Sequence, residues 1–408
     1  MKNKFWLQVG FFHFILIAII GLLIRLIFAG QEVGFPYKNL VHAHSHVGFL
    51  GWVSMAIFVG LIAQFTPDAR LDKTYQRIFI VTEISILGML FSFPVQGYGL
   101  YSISFSTLYL LASYWFAWVF YKELKKLPSG LTSVKFAKAG LFYLVLSSLG
   151  PWGLGPVMAT GHGKENIYYL IIFFYLHFLY NGAIIMAFFA MIFKSIEDYG
   201  LASKRLSKVG GRIFLLTNMA VIPTYLLSTL WTKPPGVFYW VGGGFALVQI
   251  VAFGYFLPFG KKILERLRTQ HKIAYRLLSL SGIAFTLKLI FQLLSAFPFF
   301  VNQIATLKST VVMGYIHLVT LGIISLFLIG WFLMLGGFSA KTLLAKVGIW
   351  IFVIGVLSSE SLLFGQGVLI WTESNLVSNF AGWMAGVSSL MPFGLILFLV
   401  GQSKQLQK

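Results

Sequence analysis

The chain has no cysteine among its 408 residues. That excludes disulfides, thiolate metal sites and iron–sulfur clusters bound through thiolates, and leaves histidine as the obvious soft-donor ligand for any metal. Charge is also scarce: charged residues make up 10% of the chain, and acids are few, with 11 Asp and Glu against 31 Lys and Arg. No fixed-period short repeat and no low-complexity segment stand out. Instead, 58% of the residues are hydrophobic and the mean hydropathy is +0.85, values that no soluble domain of this size carries on its surface.

The composition predicts an all-α, polytopic membrane protein, a single transmembrane helical domain over 1–408. Its setting is the lipid bilayer of a bacterial-type inner (plasma) membrane. A spanning helix needs about 20 mostly apolar residues. About twelve such runs follow one another, over 5–29, 40–64, 78–96, 101–121, 135–158, 167–193, 211–230, 237–257, 276–298, 311–336, 345–366 and 380–400. The first follows Lys2 and Lys4 but is long and lacks a convincing small-residue cleavage site, so it reads as helix 1 and not as a signal peptide.

A net charge of +20 would, in a soluble protein, suggest nucleic acid. Its distribution argues otherwise. With both termini cytoplasmic, only Lys38, Lys164, Lys233 and Lys308 fall on the outer side, and only Arg25 and Lys288 within spans. The remaining cations fall in cytoplasmic segments, most of them in Arg70 to Arg77, Lys122 to Lys138, Lys194 to Arg212 and Lys261 to Arg276, as the positive-inside rule requires. No nucleic-acid partner is needed to explain them.

Against this apolar background the stretch Val41-His42-Ala43-His44-Ser45-His46-Val47-Gly48-Phe49-Leu50-Gly51-Trp52 is the anomaly. Titratable groups inside a bilayer are costly and therefore functional candidates. On a helix His42 and His46 share a face and His44 points to the other, so one face could bind a metal and the other a second group. The assigned orientation places these three and His317 in the outer third of the membrane and His177 nearer the middle. Lys288 and Gln292 fall central to outer, and Glu360 in the outer third. Neutral imidazole ligates metals without a compensating charge, so a haem-binding or copper-binding role for His42, His44, His46 and His317 is expected, with His177 an additional ligand or a hydrogen-bond donor and His46 a second metal candidate.

Lys288 and Gln292 are four apart on one face; they read as a polar relay, as an anion site, or as a structural pair with Glu360. Arg25 either snorkels to headgroups or faces haem propionates. Glu83 reads as solvated or paired with a loop cation, and His13 as structural. Gly150-Pro151-Trp152-Gly153-Leu154-Gly155-Pro156 is expected to kink or cap helix 5. Trp231, Trp240, Trp371 and Trp383 suit interfacial anchoring.

Twelve helices with histidines on helices 2, 6 and 10 resemble subunit I of the haem–copper oxidase superfamily. The resemblance implies axial haem ligands on helices 2 and 10 and copper ligands on helices 6 and 7. His44-Ser45-His46-Val47-Gly48-Phe49-Leu50-Gly51-Trp52 is similar to the HSHxxxLGF-like stretch of C-type oxidases and nitric-oxide reductases, although there it lies on helix 10. It also resembles the HxHxMxFGF-type signature of NnrS-type haem- and copper-containing membrane proteins. Helix 7 departs from the oxidase pattern: it offers Thr217, Asn218, Thr224 and Tyr225 but no histidine. Helix 10 carries Tyr315 where a second histidine would stand, and Tyr180 follows His177 by three positions where the A-type pattern has four.

The resulting expectation is a haem, with copper or another metal as the alternative, in the outer half. It would bind or reduce a small diatomic, nitric oxide ahead of oxygen, with electrons from a partner protein or quinol. Lys288, Gln292, Glu360, Tyr315, Tyr180 and Arg25 would form a relay or surround the ligands. Readings from other classes are a proton-coupled secondary transporter and a cofactor-free assembly partner of a respiratory complex.

Overall fold

Residues 4–66, 72–163, 165–200 and 204–403 are described by a computed structural model. Arg70 and Lys164, which belong to the charge pattern above, lie outside those residues, as do the side chains of Lys204, Arg205 and Lys308. The described chain is all helix and turn, without a strand, and twelve helices are long and apolar enough to cross a membrane. In chain order they are α1 (Lys4–Phe28), α2 (Tyr37–Phe65), α3 (Lys73–Gln96), α4 (Leu100–Lys125), α5 (Thr132–Ala159), α6 (Asn166–Asp198), α7 (Ser207–Thr232), α8 (Val237–Gln270), α9 (Lys272–Leu294), α10 (Thr310–Met334), α11 (Leu343–Trp371) and α12 (Phe380–Gln402).

All twelve predicted spans are present. α8 runs well past residue 257, carrying Lys261, Lys262, Arg266 and Arg268 as a helical extension, with Pro258 tolerated within it. α5 is interrupted at Ser148, just before the stretch expected to kink or cap it, but helix then resumes through that stretch over Leu149–Ala159, with Pro156 inside it. Pro151 stands in the first turn of the restarted helix, where a missing N–H costs little, and abandoning the helix in lipid would strand more backbone groups than it relieved.

Burial separates the helices into two layers. In α2 83% of the most apolar window is buried, in α10 72% and in α6 56%, whereas the other nine range from 28 to 50%. The three form the centre, and each is met by the helix that precedes it: α1 packs on α2, α5 on α6 and α9 on α10. The following pairs α3–α4, α7–α8 and α11–α12 pack tightly, and α4, α8 and α12 lean on α5, α9 and α1 in turn, closing the ring. The architecture is a four-helix unit used three times.

A sequence signal for this repeat was present but spread out. His46 and Gly51, His177 and Gly182, His317 and Gly322 share the spacing His-x4-Gly. A Cβ on Gly51 would stand 3.2 Å from His13 of α1, on Gly182 2.6 Å from Tyr143 of α5, and on Gly322 3.3 Å from Ala284 of α9, so the glycine is where each outer helix approaches its inner one. Directly after each histidine the helix widens into a π-type turn, over Val47–Ser54, Phe178–Ile184 and Leu318–Ser325. Beyond the histidines the inner helices are joined by Trp52 Nε1 donating to Ser325 Oγ at 3.2 Å, Gln64 Nε2 to Ser195 Oγ at 3.0 Å and Trp331 Nε1 to Gln64 Oε1 at 3.2 Å. Phe188 stacks on Phe327 at 4.0 Å.

The glycine contact is open to test. Gly182→Ala drives a Cβ into the main-chain-proximal atom of Tyr143 and is expected to cost about 1–3 kcal/mol of stability, as overpacking does. Gly254→Ala on α8, where a Cβ meets nothing within 4 Å, is the control and is expected to leave thermal unfolding in detergent unchanged or slightly raised.

Candidate functional site

The alternation of His42, His44 and His46 on a helix sends them into different compartments, as their spacing predicts. His44 turns toward α1. Its Nδ1 lies 2.9 Å from the Ile17 carbonyl oxygen, an acceptor only, so Nδ1 carries the proton and Nε2 presents a lone pair. The room for this ring comes from Gly21, where a Cβ would approach His44 Cε1 to 2.9 Å. Arg25, one helical turn further along α1, is within electrostatic reach of His44, of His317 on α10 and of Glu360 on α11. His44 is itself within reach of His317.

His46 and His317 occupy equivalent places directly before the wide turns of α2 and α10, and His44 stands two residues, about 3 Å, nearer the N-terminal end of α2. Around His317 the polar groups are incompletely paired. Its Nδ1 is 3.9 Å from Glu360 Oε1, too far for a hydrogen bond, and neither that nitrogen nor either Glu360 oxygen has a hydrogen-bond partner. The two side chains keep 19% and 11% of their surface open although they lie between helices. Buried carboxylates and imidazoles are almost always hydrogen-bonded, and these two are exceptions.

His42 and His46 face α3 and the turn after it. His46 Nδ1 donates to the His42 carbonyl oxygen at 2.9 Å, and Tyr98 hydroxyl, 3.4 Å away, is placed to donate to Nε2. Burial holds the Tyr98 phenol above its usual range, so it stays a donor. The His42 ring lies edge-on to Tyr98 at 4.5 Å, and the His46 ring sits 4.4 Å from Phe93. The His46 imidazole is hydrogen-bonded, and both rings sit among aromatic side chains.

His177 has both ring nitrogens engaged: Nε2 donates to the Val221 carbonyl oxygen at 2.8 Å and Nδ1 accepts from Asn181 Nδ2 at 3.2 Å. Of the two roles expected for it, hydrogen-bond donor is the one this geometry favours. It is not brought together with His46. Tyr180 and Tyr315 come within electrostatic reach of each other across α6 and α10.

Two pairings differ from those expected. Lys288 is not paired with Glu360; its Nζ donates to Gln292 Oε1, Gln292 Nε2 donates to Gln249 Oε1 at 3.1 Å, and Gln249 Nε2 reaches Thr224 Oγ1 at 3.4 Å. Glu83 is only partly open to solvent and, among the described residues, pairs with no loop cation; it receives His13 Nε2, at 3.1 and 2.9 Å from its two oxygens. The packing explains both, since α9 faces α8 while α11 faces α10, and α3 turns Glu83 onto His13 of α1. Gly21, Asn181 and Gln249 were not singled out from sequence; Asn181 sits one turn from His177, the signal that could have found it.

Among the described residues no three His, Asp or Glu side chains converge closely enough to hold a metal ion unaided. The site on α2, α10, α11 and α1 therefore offers two imidazoles, a cation and an incompletely paired carboxylate.

The His13–Glu83 pair gives a separate check on the helix placement. Replacing either partner with Leu strands the other, at an expected cost of about 1–3 kcal/mol. The double variant is expected to lose less than the sum, whereas additive losses in thermal or denaturant unfolding would mean that the two groups do not meet. No family model matches the chain, and no curated protein does.

Proposed function

We propose that the chain holds a haem between α2 and α10, with His44 and His317 as its axial ligands, and that it handles a small diatomic, nitric oxide ahead of oxygen. The observation that carries this reading is the His44 ring, fixed through Nδ1 on the Ile17 carbonyl with Nε2 free and within electrostatic reach of His317. Haem ligation needs only two imidazoles from opposed helices; a copper centre would need a third close ligand, which the described residues do not bring. The unpartnered Nδ1 of His317 and the carboxylate of Glu360 support an additional group at this place. The divergent resemblance to subunit I of the haem–copper oxidases, or to NnrS-type proteins, agrees with it.

Bound there, a haem would supply the redox centre and the diatomic-binding atom. The protein's own part follows from the contacts. Ile17 fixes the tautomer and plane of His44. Arg25 places a permanent guanidinium at the outer end, suited to bidentate pairing with carboxylates. His317 lacks a hydrogen bond at Nδ1, so of the two imidazoles that would hold the group its ring is the less firmly oriented. Glu360, beside His317 Nδ1, can accept its proton and orient the ring when the two close the present 3.9 Å gap. Electrons would come from quinol or a partner protein.

Absorption spectra of protein produced with an ample haem supply, oxidised and dithionite-reduced, test the assignment. Wild type is expected to show a Soret band, His44→Ala and His317→Ala to lose it, and His42→Ala and His177→Ala to keep it. Wild type without haem, or haem retained in both the His44 and His317 variants, would overturn the reading, and proton-coupled transport or an assembly role would take its place.

A further inference from the structure

Lys288 belongs to a second polar site, on the far side of α10 from Arg25, which the haem reading does not use. The lysine is 3% exposed, near the middle of α9, and its one hydrogen bond is to the neutral amide of Gln292. Among the described residues no carboxylate pairs with it. An ammonium with no counter-charge in the middle of a membrane protein is costly, and its neighbours are arranged as if a charge were to be met.

Lys288 lines a cavity between α6, α7, α8 and α9 together with Asn181, Thr217 and Gln249, closed by Phe253 and Phe285. Asn181, Thr217 and Gln249 are 5%, 8% and 8% exposed. Gln292 Oε1 accepts from Lys288 and Gln249 Oε1 from Gln292 Nε2, and no second hydrogen bond of the lysine is formed among the described residues. Across the space, Asn181 Oδ1 has no partner, because its amide nitrogen is committed to His177. A charged donor and an orphaned acceptor thus share one enclosed space.

We infer that this cavity is a binding site for a small monovalent anion of halide size, held by the Lys288 ammonium and the Thr217 hydroxyl, with a water that donates one proton to the anion and the other to Asn181 Oδ1. The anion neutralises the lysine, and the water satisfies the orphaned amide oxygen, so one occupant accounts for both anomalies. The phenylalanine walls limit the occupant's size and disfavour organic carboxylates. The inference stands apart from the haem reading, since neither His44 nor His317 lines this space.

Thermal unfolding of the detergent-purified full chain in chloride against gluconate at equal ionic strength tests it. Wild type is expected to unfold at a temperature that rises with chloride and saturates, as for a ligand that binds only the native state. Lys288→Met is expected to fold and to give the same curve in both salts. Thr217→Val keeps the lysine and is expected to weaken chloride about tenfold, the loss of one hydrogen bond to a charged group. Crystals grown in bromide are expected to show an anomalous peak between Lys288 Nζ and Thr217. Equal unfolding of wild type in the two salts, with water alone and no bromide in the cavity, would overturn the assignment and leave Lys288 as an uncharged amine in a hydrated space.

Discussion

A bilayer supplies no water to an unpaired backbone group, and this constraint shapes the three central helices. Each widens directly after its histidine, and a widened turn weakens the carbonyl pairing of a regular helix. The repair is local. Ser54 hydroxyl donates to the Phe49 carbonyl oxygen at 2.9 Å in α2, and Ser325 donates to that of Thr320 at 2.8 Å in α10, the same offset from His46 and from His317. Ser325 then accepts from Trp52, tying the two repaired turns together. In α6 Ile185 stands at that offset, and Asn181 and His177 carry the polar contacts instead.

The widening has a consequence for the histidines. Inserting a residue into the turn rotates everything before it relative to the buried half of the helix, so His44 and His317 are aimed independently of the packing that fixes Trp52, Phe188 and Phe327. α2 uses this freedom on two sides. His44 is pinned against α1, with Gly21 making room, while His42 and His46 are held among Phe93 and Tyr98. A rigid inner half and a separately oriented outer half are what a site needs if its ligands must be placed to within fractions of an ångström.

The twelve spans could be read from the sequence because lipid imposes a long apolar run on every crossing, and the charge bias then fixed their alternation. The rise of a helix gave the expectation that His44 and His317 share one layer, and the structure brings the two within electrostatic reach. Partners were harder. Gln292, one turn from Lys288 on the same helix, was legible, but whether Lys288 meets Glu360 depends on which outer helix packs beside which, and hydropathy carries no such information. The threefold unit escaped because its mark, a histidine and a glycine, recurs only once per four helices with loops of unequal length between. The wide turns escaped because their sequences, such as Leu318-Val319-Thr320-Leu321, look like any apolar helix. Glu83 was placed near the basic end, and its bond to His13 needed α1 and α3 to be neighbours around α2.

The central claim is that a group joins His44 to His317. A high-resolution cryo-electron microscopy map of the full chain, purified from cells supplied with haem precursor, addresses it most directly. The account predicts flat, strong density between α2 and α10 meeting Nε2 of both imidazoles, with the Arg25 guanidinium at its carboxylate-bearing edge. Ordered water or a direct His44–His317 contact in that space, with no cofactor density, would contradict it.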